Sequence, residues 1–233
     1  MVDGGQSLPY HLLFYMIVHF ARVPNNVDIN YYFPKGCEFA EKILAILPPH
    51  WIRHYEKQDG YTYTKDHIGV PAWDDYIIPD AYNYMRFLFA PYISAQIIPG
   101  KYLYISRNKG DVKRQLENED DVLKIIEPFG FQKIYMEDLS GEDHIRVFSE
   151  ADFIISPHGS GLSFTTFCSP GVSIIEILGD CPSKLRHFSH IAWHFGFDFK
   201  RFTDVETNNE KMRVNCKELY QTLFHHKKLR SNN

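Results

Sequence analysis

Three short stretches of this 233-residue chain carry side chains able to hold an anionic ligand. Residues 157–161 read Pro-His-Gly-Ser-Gly between two apolar segments, FIIS and LSFTTF. A Gly-rich strand-to-helix turn suits an anion, because glycine lets backbone approach closely and the first N–H groups of a helix carry partial positive charge. Residues 106–110 read Ser-Arg-Asn-Lys-Gly after the strand-like KYLYI, so Arg107 and Lys109 offer full positive charges. Glu176 sits within IIEI, where a carboxylate is costly unless it reaches a partner at the rim. Together these describe a nucleotide diphosphate, with the pyrophosphate between the basic loop and the glycine turn and the ribose hydroxyls on Glu176. Each stretch alone has a plainer meaning: a structural turn, a solvated loop, a glutamate paired with a lysine. The order of basic loop, glycine turn and acidic strand, all at one edge of one sheet, favours phosphate binding.

That edge exists only if the strands run parallel, and the patterning predicts it. From residue 101 the chain alternates regularly: strand KYLYISR, helix 119–130 closed by glycine, strand QKIYM, helix EDHIRVFSEA, strand DFIIS, a helix after HGSG, strand 172–178 and helix 184–196 closed by glycine. A last strand and a C-terminal helix complete it. Such βαβα alternation predicts a parallel sheet covered on both faces, with ligands beyond the carboxyl ends of its strands. The first part alternates less cleanly: a helix over 8–21, a strand over 27–33, a helix over 37–47 stopped by Pro48-Pro49, strands in HWIRHYEK and at 75–79, and a helix from an Asp80 cap. Pro99-Gly100 makes a natural break. The expectation is two α/β lobes, 1–97 and 98–233.

Composition narrows the function classes. Hydrophobic residues at 44% and charged residues at 23% fit a globular domain with a full core. A formal net charge of −4 argues against nucleic acid as a partner, which requires a basic face. Cys37, Cys168, Cys181 and Cys216 have neither zinc nor disulfide spacing and read as reduced thiols. No run is long enough for a membrane span. HLLFYMIVHFA lacks a basic flank and reads as a buried helix, so a cytoplasmic location is expected. No GxGxxG follows the first strand of the regular lobe, which disfavours a dinucleotide oxidoreductase, and HGSG is not the GxSxG elbow of a serine hydrolase.

YISR at 104–107, Asn118-Glu119, the FxxADF of 148–153, PHGSGL, FCSPG at 167–171 and IIEI together resemble the C-terminal signature of glycosyltransferase family 61, the DUF563 group. That resemblance covers about residues 102–178 and implies a GT-B fold of two Rossmann-like lobes, with the acceptor on 1–97 and the nucleotide-sugar on 98–233. It implies an inverting transfer from a nucleotide-diphosphate sugar, UDP-linked, to a glycan or glycoprotein hydroxyl. By position, Ser106, Arg107, His158, Gly159, Ser160, Gly161 and Glu176 would hold the donor, with Lys109 beside them. The donor is a substrate; no cofactor or metal is expected. Two positions depart from the family pattern: Ser160 stands where alanine is usual, and Tyr15 where an aspartate is the expected base. A base is therefore sought among His11, His158 and the pair Asp74 and Asp75, whose likeness to a DxD metal motif is loose. The alternative is a non-catalytic nucleotide-sugar or glycan-binding module, part of a larger multi-domain chain.

Overall fold

A computed structural model describes residues 31–34, 42, 45–46, 55–58, 79–109, 113–179, 187–208 and 210–226. Strands β1 (Tyr31–Pro34) and β2 (Tyr55–Gln58) pair in parallel. Helix α1 (Pro79–Leu88) follows, with Asp80 inside its first turn rather than at its cap. Proline's fixed φ suits a first helical position. Then come β3 (Tyr102–Ser106), α2 (Glu119–Ile126), β4 (Phe131–Tyr135), α3 (Gly141–Glu150) and β5 (Phe153–Pro157). A 3-10 run (Ser160–Phe167) leads to β6 (Ser173–Ile177), and α4 (His187–Phe195) precedes β7 (Asp198–Phe202). A hairpin of β8 (Val205–Asn208) and β9 (Lys211–Val214) leads into α5 (Cys216–Phe224).

Strands β3 to β7 form one five-stranded, wholly parallel sheet in the order β4-β3-β5-β6-β7. Its central strands YLYIS, FIISP and SIIEI are buried at every position, as a sheet covered on both faces requires. One face packs Ile105, Ile154 and Ile174 against Met85 of α1, Phe148 of α3, Phe164 and Phe167 of the 3-10 run, and Ile191 of α4. The other packs Tyr104, Phe153 and Ile175 against Val122 and Ile126 of α2 and Leu219 and Leu223 of α5. Complete burial of a side chain such as Phe148 or Phe153 contributes roughly 1.5–3 kcal/mol. A wholly parallel sheet covered on both faces is what the βαβα alternation predicts, and it is consistent with a Rossmann-like fold.

Helix α1 lies before the expected break at residue 97 yet packs on this sheet's cover. Arg86 Nη1 donates to the carbonyls of Thr166 and Cys168, both at 2.8 Å, and Phe89 meets Phe167 edge-on at 5.6 Å. Lys42 reaches the same unit, donating to the carbonyls of Glu137 and Leu139. Both helix-closing glycines adopt the left-handed conformation that glycine tolerates, Gly130 at φ 94° and Gly196 at φ 69°.

Two elements differ from expectation. The segment after HGSG is 3-10 rather than α-helical, in a hydroxyl-rich sequence where Thr165 Oγ1 donates to the Leu162 carbonyl and Cys168 N to that of Thr165. The β8–β9 hairpin is an addition to the predicted order. Asn118 holds it: its Nδ2 donates to the Val214 carbonyl at 2.9 Å and its Oδ1 accepts from Val214 N at 3.0 Å. Asn118 makes no side-chain cap to α2. Cys168 and Cys216 are free thiols, both pushed up in pKa by burial. Among the described residues no helix is long and apolar enough to cross a membrane.

Asn118→Ala leaves a buried N–H and carbonyl of Val214 without partners, and an equilibrium urea titration should register a loss of about 1–3 kcal/mol. A second prediction concerns His144, which is buried beside Phe164, with Nδ1 on the Ser140 carbonyl. Burial lowers its pKa from 6.5 to about 4. Between those values the unfolded chain binds a proton that the folded chain does not, so stability falls as pH is lowered through that window. Melting temperature should fall from pH 6.5 towards pH 4, and fall less steeply in His144→Gln.

Candidate functional site

The strand order reverses between β3 and β5, since the chain leaves β3 towards β4 on one side and returns to β5 on the other. In a doubly wound sheet this reversal opens a crevice beyond the carboxyl ends of the two strands. Arg107 directly follows β3, and His158 and Gly159 directly follow β5. The two segments meet there. A Cβ placed on Gly159 would overlap the Arg107 guanidinium. Gly159 has extended backbone, φ 177° and ψ 166°, which any residue adopts, so glycine is required by this approach and not by conformation. Arg107 Nε and Nη2 also face the Lys113 carbonyl at 3.3 and 3.2 Å, which fixes the guanidinium between its own loop and the glycine turn.

One residue earlier, His158 Nδ1 lies 2.5 Å from Glu176 Oε1, while its backbone N–H donates to the Ile177 carbonyl at 2.8 Å. The ring packs beside Phe188 of α4 at 5.0 Å. Glu176 is entirely buried, and its second oxygen accepts from Arg201 Nε of β7 at 2.9 Å. The carboxylate expected to meet ribose hydroxyls thus has both oxygens on protein groups. Arg201 is a member of this cluster that sequence patterning missed. Its signal lies only in the register, which sets Ser156, Glu176 and Arg201 side by side across β5, β6 and β7.

Ser106 is similarly committed. Its hydroxyl donates to Glu119 Oε1 at 2.6 Å and accepts from Asn108 N at 3.1 Å. Glu119 also accepts from the Tyr104 hydroxyl at 2.9 Å and pairs with Lys133 at 2.6 Å. Burial, reinforced by the Glu119 carboxylate, pushes the Tyr104 phenol up and keeps it a donor. Asn108 braces the loop through Leu116, with Nδ2 on its carbonyl at 2.7 Å and Oδ1 on its N–H at 2.9 Å. Lys109 points outward, ion-paired with Asp138, whose hydrogen bond raises its pKa, and 5.5 Å from the Tyr135 ring. Ser160 is partly exposed at the head of the 3-10 run, and Gly161 is packed against Met136.

The structure therefore gathers Arg107, His158, Gly159 and Glu176 at one point, with Ser106 beneath and Lys109 at the rim. His11, Asp74 and Asp75 lie outside the described residues, as does Tyr15. Among the described residues, no group of three or more His, Cys, Asp and Glu side chains is arranged to hold a metal ion.

The family model of Glycosyltransferase 61 matches residues 11–175, well over half of the chain. The chain belongs to glycosyltransferase family 61. It is also similar to the beta-1,2-xylosyltransferase RCN11 of Oryza sativa subsp. japonica, 26% identical over 120 residues. That match covers 45% of this chain and 22% of the relative, so the matched part of the chain spans about a fifth of the length of the protein it resembles. For a family 61 member the geometry gives a specific test. In Gly159→Ala the added methyl displaces a flexible guanidinium rather than backbone. The variant should melt within a few degrees of wild type, yet lose affinity for nucleotide diphosphates by about as much as Arg107→Ala, measured by calorimetric titration.

Proposed function

We propose that this family 61 chain is a glycosyltransferase that moves a sugar from a UDP-linked donor to a hydroxyl of a glycan or glycoprotein acceptor. The observation that carries the proposal is the Arg107 guanidinium lying against the Gly159 backbone at the point where the sheet reverses. A full positive charge, a turn stripped of Cβ and the start of a helical run converge there, which suits a diphosphate. The family match and the xylosyltransferase relative support glycosyl transfer as the chemistry.

In an inverting transfer a base removes the acceptor proton as the hydroxyl oxygen attacks the anomeric carbon. The bond from that carbon to the diphosphate oxygen breaks, and its electron pair leaves with the diphosphate. Arg107, with Lys109 at the rim, offsets the charge that grows on the leaving group, so the displacement needs no metal. Proton removal falls to a residue of the expected acceptor lobe, His11 or one of Asp74 and Asp75. Two Rossmann-like lobes of GT-B type would bring that base across a cleft to the donor. Xylose, N-acetylglucosamine and rhamnose are the sugars proposed.

Ligand-observed NMR with a panel of UDP-, GDP- and dTDP-sugars tests the proposal. One UDP-sugar should bind selectively and insensitively to EDTA. Arg107→Ala should weaken it by about 10- to 100-fold, the worth of a charged hydrogen bond. Slow hydrolysis of that sugar would add catalytic competence, whereas binding with neither hydrolysis nor transfer is the result expected of a non-catalytic module. Absence of binding to every nucleotide would overturn the proposal.

A further inference from the structure

The carboxylate of Glu176 has no exposed surface, and a buried carboxylate is strongly disfavoured unless its charge is offset and its lone pairs are filled. The His158 imidazole on Oε1 supplies a hydrogen bond. The permanent charge comes from Arg201, whose Nε donates to Oε2. The sheet register makes this inevitable: Ser156 pairs with Glu176 and Glu176 with Arg201, so the three side chains share one face of adjacent strands at one level. That face is the one covered by α4, whose Phe188 closes over the His158 ring.

A carboxylate paired with a guanidinium on one oxygen accepts a hydrogen bond from His158 Nδ1–H on the other. Nδ1–H donation leaves Nε2 as the nitrogen available to a ligand. Nε2 makes no hydrogen bond among the described residues, and the ring belongs to the turn whose next residue abuts Arg107. We propose that Arg201 is a positioning residue of the donor site: by holding Glu176 it keeps His158 in the ring orientation and tautomer that turn Nε2 towards the bound diphosphate. This inference rests on the proposed function, since it takes the ligand at Arg107 and Gly159 to be a diphosphate. It also gives Glu176 a part at the site without contact to the nucleotide.

The test uses the full chain labelled with 15N-histidine, UDP as the probe, and the variants Arg201→Met and Arg201→Lys. In wild type the His158 ring should carry its proton on Nδ1, and UDP should move the Nε2 resonance. Arg201→Met should mix the two tautomers and weaken UDP about tenfold, the size typical of losing an outer partner of a ligand-holding histidine. Arg201→Lys should recover the wild-type tautomer and most of the affinity, which a merely structural loss of packing would not. A wild-type ring protonated on Nε2 alone overturns the inference, as does an Nε2 resonance that UDP leaves unmoved. Should Arg201→Met fail to fold, those two wild-type measurements decide by themselves. UDP binding that is lost in Arg107→Ala but unchanged in Arg201→Met overturns the positioning role alone and leaves the donor site standing. Failure of wild type to bind UDP overturns the donor site itself, and the inference with it.

Discussion

Complete burial of a carboxylate is tolerated only where donors meet both oxygens, and Glu176 finds them on the strands to either side of its own. His158 comes from the end of β5 and Arg201 from β7, so one buried carboxyl group ties three neighbouring strands together near their carboxyl ends. The glycine turn inherits its position from that tie. His158 is anchored through both its ring and its backbone N–H, which holds Gly159 where the Arg107 guanidinium can lie flush against it. The segment that follows β5, where the strand order reverses, is thus positioned by a carboxyl group that itself never reaches solvent.

A second buried carboxyl group does comparable work at the end of β3. Glu119 gathers the Tyr104 and Ser106 hydroxyls from β3 and Lys133 from β4, securing the strand end from which Arg107 emerges. Its neighbour Asn118 faces away and clamps the β8–β9 hairpin. The family signature therefore consists largely of partners. Ser106 meets Glu119, Arg107 meets Gly159 and His158 meets Glu176, each pair brought together by the fold rather than by adjacency in sequence. Motif residues that look like a row of ligand contacts are in good part the supports of the few that face the crevice.

Much of the sheet was legible because burial on both faces leaves a plain mark: YLYIS and FIIS are uninterrupted apolar or small runs, SIIEI is broken only by Glu176, and the helices after β3 and β6 close at Gly130 and Gly196. The hairpin left no such mark. VETN and KMRV are short and polar, and they hold together through Asn118 and through Met212 and Val214 in the core, contacts made across about a hundred residues. In sequence the 3-10 run resembles an ordinary helix because its apolar spacing suits either form, and the choice falls to hydroxyl-to-carbonyl bonds in a segment buried from Gly161 to Phe167.

The sequence by itself determined the parallel strands, their order along the chain, and the placing of Arg107, His158, Gly159 and Glu176 at strand ends. Those properties follow from local periodicity and from the chemistry of single residues. Which strand lies beside which was decided by tertiary structure, and with it every pairing that gives the site its form. Glu176 reads in sequence as a carboxylate awaiting a ligand; only the register of β6 against β5 and β7 shows that His158 and Arg201 already hold it. Arg201 carries no local signal, because its role comes from standing level with a buried charge on the neighbouring strand, and lateral neighbours leave no trace in the spacing along one chain.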